Sequence, residues 1–322
     1  MLKIGMVSRW NPFHADEFVR GVNANPAAEV SWVWDEDEDQ GRAWAQRLGV
    51  VHYIRLDGAL AEGGADGVVL NCHPERMAPQ AAMAAAHGHH ILMDKIVAVG
   101  EAQRRTLKAS FAGKDLCVAT AFALLHRSNF QTAKGIIESG ALGRVSMVRI
   151  REAHDGLSAG RLPAHFTRDV PGGIFSDMGF HALYAIPWLL GEAPEWVSAT
   201  AADFCGTGCI DSGAYQMRFP GGAVGCAEAS YASAGSPFSL EVYGQDGCLL
   251  IGGPNKAIVQ SRDGGWLPIS ALPEKPLPED DWIEAILTSR PPEYGLQDGL
   301  LLSHRFEALC RSLDTGLPSP MI

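Results

Sequence analysis

Short apolar runs alternate with segments of helical period over the first part of the chain. Four of these apolar runs have the composition and length of buried strands: Lys3–Val7, Val30–Trp34, Gly67–Cys72 and His90–Met93. Strands that alternate with helices predict a parallel sheet covered on both faces. We therefore predict a parallel α/β domain over residues 1–120.

The pattern changes after residue 121, where glycine-rich turns separate runs with the period of strands. These strand-like runs and glycine-rich turns predict a mostly antiparallel sheet in a second α+β domain over residues 121–322. The predicted strands include Val145–Ile150, Val197–Ala202, Ala214–Phe219, Ala223–Ala229, Phe238–Tyr243 and Cys248–Ile251. Helices are predicted at Phe130–Ser139, Asp281–Leu287 and Leu300–Leu313. A free apolar face on such a sheet predicts a homodimer or homotetramer.

Composition narrows the classes of partner. The chain has 322 residues and a formal charge of -11, which suits two domains and argues against nucleic acid or an anionic membrane as partner. We find no apolar run long enough to span a membrane and no signal peptide at the start. The expected partner is a small polar molecule.

The arrangement of cysteines and histidines predicts a protein of a reducing compartment and predicts no metal site. The seven cysteines are scattered without a paired CxxC spacing, so we expect free thiols and a cytoplasmic location. Cys205 and Cys209 have no histidine nearby to complete a metal pattern. His87, His89 and His90 straddle a predicted helix end and strand start, which also argues against a metal site.

A glycine pair opens the segment with the most distinctive chemistry. Gly172 and Gly173 precede an apolar segment of helical period that ends at Gly191, and Asp177 and His181 lie four positions apart within it. A helix would stack both side chains on one face, where the carboxylate can orient the imidazole as a general base. The alternative is an aspartate that caps the helix near a satisfied core histidine.

A second charged motif, Asp94-Lys95-Ile96, follows a buried strand. Together with Gly172–His181, it makes the chain resemble the glucose-fructose oxidoreductase and inositol dehydrogenase family, Gfo/Idh/MocA. That family carries Glu-Lys-Pro after a Rossmann strand and Gly-Gly before Asp-x-Gly-x-His. Glu138–Gly143, Val242–Gly244 and Asp298–Gly299 extend the similarity over nearly the whole chain.

The resemblance implies an N-terminal Rossmann domain and hydride transfer between a nicotinamide and a sugar, cyclic polyol or related hydroxylated compound. Carried over to this chain, His181 would take the hydroxyl proton, Lys95 would hold the substrate oxygen, and Asp177 would orient both. Gly173 would let the main chain approach the substrate or cofactor, or would only form the turn into the helix.

A polar loop precedes the glycine pair. It runs from Arg161 to Arg168 and separates a predicted strand from the predicted catalytic helix. Such loops often carry binding residues. We expect His165 and Arg168 to contact substrate.

The dinucleotide fingerprint of the family is altered. Ser8, Trp10 and Phe13 stand where G-x-G-x-x-G has glycine. One interpretation keeps the cofactor, with Ser8, Arg9, Trp10 and Asn11 and the amides of the following helix as a changed phosphate cradle. The other makes the loop structural, with cofactor binding lost.

Further residues bear on the cofactor. Asp35 ends the second strand, where an acid accepts hydrogen bonds from the adenosine ribose and repels a 2′-phosphate, so NAD is favoured over NADP. Cys72 and His73 replace the family's usual Thr-Pro-Asn, and His73 either contacts the ligand or caps a helix. Asp94 and Ile96 replace Glu and Pro beside Lys95, which predicts a slight shift of that lysine.

Three functions remain open from the sequence. The first is an NAD-dependent dehydrogenase acting on CH-OH. The second is a lyase, epimerase or hydrolase that retains NAD and uses transient oxidation. The third is a non-catalytic binding protein on the same fold.

Overall fold

The computed structural model describes residues 1–162, 171–235, 237–252 and 255–321. Its strands are β1 Leu2–Val7, β2 Ala28–Trp34, β3 Val51–His52, β4 Gly67–Leu70, β5 His90–Met93, β6 Val118–Thr120, β7 Val145–Ala153, β8 Trp196–Ala202, β9 Ser212–Arg218, β10 Val224–Ser230, β11 Phe238–Gly244, β12 Gly247–Gly252, β13 Asn255–Ser261, β14 Trp266–Pro268 and β15 Ser319–Pro320. Its α-helices are α1 Pro12–Ala24, α2 Glu38–Leu48, α3 Leu56–Glu62, α4 Pro74–Ala86, α5 Gly100–Phe111, α6 Ala123–His126, α7 Ser128–Glu138, α8 Phe180–Leu190, α9 Pro278–Thr288 and α10 Leu296–Thr315.

The chain forms two compact units. Met1–Ala123 and Pro276–Ser303 make up the first, and Leu124–Lys275 and His304–Ile322 make up the second. The division at residue 120 stays a prediction, but Pro276–Ser303 packs with the N-terminal unit rather than with the segment that precedes it. Trp282 accounts for this placement, because its buried side chain lies in the core of the first unit.

The first unit contains a six-stranded sheet of order β3-β2-β1-β4-β5-β6, in which all the strands pair in parallel. Ile4 and Met6 of β1 face a core formed with α1, α2 and α9, whereas Val7 faces a core formed with α3, α4 and α5. Successive side chains of a strand point to opposite faces, so helices cover both sides. The predicted Rossmann-like sheet is confirmed.

The second unit contains a nine-stranded sheet of order β14-β13-β12-β11-β7-β10-β9-β8-β15. Strands β7 and β10 pair in parallel, and the other neighbours pair antiparallel. Val148 and Ile150 of β7 are buried, whereas Arg149 between them is half-buried and binds Glu228 and Glu241 at 2.6 and 2.8 Å. The predicted, mostly antiparallel sheet is confirmed, and one of its faces carries this ionic cluster.

Among the residues that the structure describes, no helix combines the length and the apolar character needed to cross a bilayer.

Candidate active site

The residues predicted to hold the cofactor gather at one edge of the first unit's sheet. Ser8 and Asp35 directly follow β1 and β2, Lys95 lies two residues after β5, and Cys72 and His73 follow β4. These strands are neighbours in the sheet. Ligands of doubly wound sheets bind at the carboxyl ends of the strands. The parallel topology therefore brings the predicted set together.

The turn after β1 keeps the conformation of a glycine although the residue is serine. Ser8 has a φ of 67°, a region that glycine adopts at lower cost than residues with a Cβ. Its N–H donates to the Trp34 carbonyl at 2.7 Å. The side chain is 1% exposed, and its hydroxyl has no hydrogen-bond partner among the described residues.

The next amides of the turn are bound to neighbouring strand ends. Arg9 N–H donates to Asp35 Oδ2 at 2.7 Å. Trp10 N–H donates to the Asn71 carbonyl at 3.2 Å, and Asn11 N–H donates to Asn71 Oδ1 at 2.9 Å. The turn is thus fixed by β2 and β4 through its own main-chain donors.

Asn11 also closes the N-terminus of α1. Its Oδ1 accepts from Phe13 N–H at 3.1 Å and from His14 N–H at 3.2 Å, and Pro12 has no N–H. The sequence predicted the helix amides near His14 as phosphate donors. In the structure those amides bind Asn11 instead.

The Arg9 side chain belongs to an ionic cluster at the same turn. Its guanidinium contacts both carboxylate oxygens of Asp16, at 3.2 and 2.8 Å. Asp16 also accepts from Arg47 at 3.0 Å. One carboxylate therefore serves both guanidinium groups, which leaves this cluster with net positive charge.

The Asp35 side chain is buried, and its carboxylate accepts hydrogen bonds from main-chain amides. Its Oδ1 accepts from Asp37 N–H at 2.9 Å, in addition to the bond from Arg9. Burial raises the pKa of Asp35 above its usual value, and the two amide hydrogen bonds oppose that effect. A carboxylate oxygen can accept more than one hydrogen bond, so this geometry is compatible with ribose binding.

Asp94 connects the cofactor turn to the predicted catalytic lysine. Its Oδ2 accepts from Asn71 Nδ2 at 2.8 Å and contacts His14 Nδ1 at 2.7 Å. Its Oδ1 accepts from the main-chain N–H of Lys95 at 2.9 Å. Lys95 is buried, and its peptide bond to Ile96 is cis. His14 and Asn71 join this site although the sequence did not single them out.

Cys72 points into the interior of the first unit. Its Sγ donates to Gln80 Oε1 and lies 3.7 Å from the Val7 carbonyl. Burial raises the pKa of the Cys72 thiol well above its usual value, and nearby carboxylates add to the effect. The geometry supports a packing role for this side chain.

His73 is the N-cap of α4. Its Nδ1 accepts from Glu75 N–H at 3.2 Å, as in the helix-capping alternative. Its ring also meets the Trp10 ring edge-on, with centroids 5.6 Å apart. Trp10 and His73 therefore form an aromatic pair at the cofactor edge.

In the second unit, the glycine pair forms a tight turn. Gly172 and Gly173 have φ values of 77° and 51°, and a short 3₁₀ helix spans Gly173–Ser176. Ile174 N–H donates to the Ile210 carbonyl at 2.9 Å, and a Cβ on Gly173 would collide with the same carbonyl. Glycine at 173 therefore lets the turn pack against the main chain before β9.

The prediction of one helix through Asp177 and His181 is wrong. Helix α8 begins at Phe180, and Asp177 ends the 3₁₀ turn, with φ -114° and ψ -82°. Asp177 N–H donates to the Ile174 carbonyl three residues back, at 3.3 Å. The tight turn set by the glycines thus delays the helix, and Asp177 and His181 lie in different local structures.

Tyr231 holds Asp177. Its hydroxyl donates to Asp177 Oδ2 at 2.7 Å, and its side chain is fully buried. Burial, together with the charge of Asp177, raises the pKa of Tyr231 well above its usual value. The tyrosine therefore stays protonated and remains a donor to the carboxylate.

His154 supports Tyr231 from the neighbouring strand. The two residues directly follow the parallel strands β7 and β10, and their ring centroids lie 5.0 Å apart. His154 Nδ1 accepts from Gly156 N–H at 2.9 Å, which places the ring proton of the neutral form on Nε2. Burial lowers the pKa of His154, so the neutral form is favoured.

His181 has a tyrosine partner of its own. Its Nδ1 lies 2.7 Å from the hydroxyl oxygen of Tyr184, one turn further along α8. If Nδ1 carries the proton and donates to this oxygen, Nε2 is left as a base. The Tyr184 hydroxyl can accept this hydrogen bond, so the contact is compatible with the tautomer that proton abstraction requires.

His165 and Arg168, the predicted substrate contacts of the preceding loop, lie outside the described residues. Within the described residues, no group of three or more His, Cys, Asp or Glu side chains is arranged to hold a metal ion.

Two comparisons with known proteins bear on this geometry. Residues 130–250 match the sequence model of the GFO/IDH/MocA C-terminal domain. Myo-inositol 2-dehydrogenase of Thermotoga maritima is 26% identical over 220 residues, which cover 66% of this chain and 64% of that protein. The match thus spans slightly less than two thirds of the curated relative.

Solved structures share the fold over nearly the full chain. An oxidoreductase from Agrobacterium radiobacter in complex with NAD+, L-tartaric acid and magnesium has a TM-score of 0.86 and 17% identity, with 99% of this chain and 98% of that chain covered. Levoglucosan dehydrogenase in complex with NADH and levoglucosan has a TM-score of 0.83 and 18% identity, with the same coverage. At these identities the likeness establishes the fold.

Proposed function

We propose that this chain, whose residues 130–250 match the GFO/IDH/MocA C-terminal domain, is an NAD-dependent oxidoreductase of that family acting on a CH-OH group of a sugar or cyclic polyol. The observation that carries the proposal is the start of α8. There Asp177 and His181 each have a buried tyrosine as partner, within the residues that the family model matches. The names of the relatives, a dehydrogenase and oxidoreductases, favour net redox chemistry over the lyase and non-catalytic alternatives.

The first unit fits a dinucleotide at the edge described above. Ser8 keeps the glycine-like turn and buries a hydroxyl that has no partner in the described part of the chain, and Asp35 lies at the end of β2. We assign Ser8, Arg9, Trp10 and Asp35 to the cofactor, with His73 beside Trp10 and Asn11 at the first-turn amides of α1. The acid at position 35 favours NAD over NADP, because it repels a 2′-phosphate. A bound NAD would supply the hydride acceptor.

The chain's own residues supply proton handling. His181 takes the hydroxyl proton at Nε2 while Nδ1–H donates to the Tyr184 oxygen. Asp177, held by Tyr231, orients the substrate and stabilises the charge that the imidazole gains. The Lys95 ammonium stabilises the developing alkoxide, the role that the family motif implies.

A binding and turnover experiment tests this function. NAD and NADP are titrated separately into the purified protein by calorimetry, and NADH formation is then followed with myo-inositol, levoglucosan and a panel of aldoses. We expect saturable binding that is tighter for NAD, and NADH formation with a member of the panel. Absence of dinucleotide binding, with no nucleotide released on denaturation, would exclude the proposal. Bound NAD without net NADH would favour transient oxidation.

We further propose that the protein is a homodimer or homotetramer in the cytoplasm. The sequence pattern predicted a free apolar face for this assembly, whereas this face of the nine-stranded sheet carries Arg149 bound to Glu228 and Glu241. The proposal therefore rests on the half-buried state of this face, which a second copy could cover. All seven cysteines are free thiols, in agreement with a reducing compartment. Size-exclusion chromatography with light scattering tests the assembly, and a monomer at all concentrations would contradict it.

A further inference from the structure

The first-turn amides of α1 are occupied by the chain itself. In dinucleotide-binding folds these donors bind the pyrophosphate, because the helix N-terminus presents N–H groups and a positive dipole end. Here Asn11 Oδ1 accepts from the amides of Phe13 and His14. The carboxamide oxygen thus takes the hydrogen bonds that a phosphate oxygen takes in a glycine-rich turn.

A second observation points to a ligand at this turn. The Ser8 hydroxyl is 1% exposed and has no hydrogen-bond partner among the described residues, although buried hydroxyls are normally paired. Ser8 occupies the first glycine position of the fingerprint and keeps its left-handed backbone. The turn therefore retains both an unused polar group and the conformation associated with pyrophosphate binding.

We propose that the Asn11 side chain competes with the pyrophosphate of the dinucleotide for the amides of Phe13 and His14, and so sets the affinity for the cofactor. Asn11 is 3% exposed, and its own N–H is fixed by Asn71 Oδ1. A rotation of the side chain alone would free both amides while the main chain of the turn stays in place. This inference rests on the proposed NAD-dependent function and concerns the same site.

Substitutions at position 11 test the effect of the side-chain acceptor, Asn11 Oδ1, while the main chain of the turn is kept. Asn11→Gly removes the competing oxygen, Asn11→Ser keeps an N-cap acceptor, and Asn11→Asp keeps the cap and adds negative charge. Glycine is tolerated at an N-cap at small cost in stability. Each variant is titrated with NAD and with ADP-ribose by calorimetry, and circular dichroism and thermal unfolding check the fold.

We expect Asn11→Gly to bind both nucleotides about fivefold more tightly than the unsubstituted protein, a gain of about 1 kcal/mol, the usual net contribution of one hydrogen bond. Asn11→Ser should bind like the unsubstituted protein. Asn11→Asp should bind at least about tenfold more weakly, because its charge repels the pyrophosphate.

The remaining outcomes are distinguishable. Equal affinity in the unsubstituted protein, Asn11→Gly and Asn11→Asp would overturn the inference while the oxidoreductase proposal stands. Binding by Asn11→Gly alone would support the inference and contradict NAD as the cofactor of the natural chain. Absence of binding in every folded variant would overturn both.

Discussion

The two units hold their candidate residues by different means. In the first unit, main-chain amides of the turn after β1 are bound to Asp35, Asn71 and Asn11, and Asp94 joins that turn to Lys95. In the second unit, the reactive side chains have tyrosine partners: Tyr231 for Asp177 and Tyr184 for His181.

This difference separates backbone conformation from side-chain chemistry. The first unit departs from the glycine fingerprint, yet Ser8 keeps the glycine-like turn because neighbouring strand ends bind the adjacent amides. The second unit keeps the motif residues and supports them with hydroxyl groups that burial holds in the protonated form, as for Tyr231. We infer that changes in the first unit act on cofactor affinity, whereas changes in the second act on turnover.

The largest expected effect concerns Lys95, the exception to this division: it lies in the first unit, but the family motif assigns it to the catalytic set. Lys95→Ala should lower kcat/KM by about a thousandfold, because it removes the cation opposite the developing alkoxide. Steady-state kinetics with the polyol oxidised in the screen measures it. Lys108→Ala, on the exposed face of α5, is the control. Unchanged turnover in a folded Lys95→Ala protein would remove Lys95 from the catalytic set.

The Tyr231→Phe change tests the hydrogen bond that holds Asp177 in the second unit. Loss of one hydrogen bond to a carboxylate costs about 1.5–3 kcal/mol, so we expect kcat to fall about ten- to hundredfold while the Kd for NAD stays constant. The pH profile of kcat should also shift, since Asp177 loses its donor. A merely structural role would lower stability without moving that profile.

Tyr243→Phe is the matched control for Tyr231→Phe. Its hydroxyl donates to Glu241 on the ionic face of the same sheet, at 2.7 Å. The Tyr243→Phe change therefore removes a comparable hydrogen bond whose acceptor is Glu241 rather than Asp177. An equal loss of kcat in both variants would contradict the positioning role of Tyr231.

The predictability of these contacts from sequence depends on their range. Periodicity predicted most strands of both sheets because each strand's pattern is local, but it did not identify β3, β13, β14 or β15. The Asn11 cap also had a local signal, an asparagine directly before a proline at the first helical position. Contacts between distant segments had no such signal. His14 of α1 meets Asp94 after β5, and Tyr231 after β10 meets Asp177 of the 3₁₀ turn, only because the fold brings these segments together.

At the turn before α8 the sequence did contain a local signal, but the position predicted from it was wrong. Apolar spacing correctly predicted a helix but placed its start too early, since periodicity does not register the 3₁₀ turn that the glycine pair imposes. Asp177 and His181 were identified as residues from their motif. Their joint helical face was not a valid consequence of their spacing.

Asp35→Asn tests cofactor choice in the first unit. The change removes the charge that repels a 2′-phosphate and keeps one of the two oxygens that accept from the amides of Arg9 and Asp37. We expect the ratio of Kd for NADP to Kd for NAD to fall about tenfold, with kcat for NAD nearly unchanged. Calorimetric titration measures both constants. Asp37→Asn, which removes a nearby charge, should shift the ratio less, and an equal shift would argue against a specific role for Asp35.

His154→Phe gives the smallest expected effect and concerns stability. Burial lowers the pKa of His154 in the folded protein, so between its unfolded and folded pKa values the unfolded chain binds more protons. The stability from the neutral ring is therefore fully present above the unfolded pKa of about 6.5 and is lost as pH falls toward the folded pKa. Phenylalanine keeps the ring against Tyr231 but cannot titrate.

The slope of unfolding free energy between pH 7 and pH 5 should accordingly be shallower in His154→Phe. The difference should stay below about 1 kcal/mol, because solvent screens the partly exposed ring. Urea denaturation at each pH measures it, and the loss of the Gly156 hydrogen bond lowers stability equally at both ends of the range. Parallel slopes would show that His154 is equally neutral in both states, and the argument for a burial-held neutral imidazole beside Tyr231 would fail.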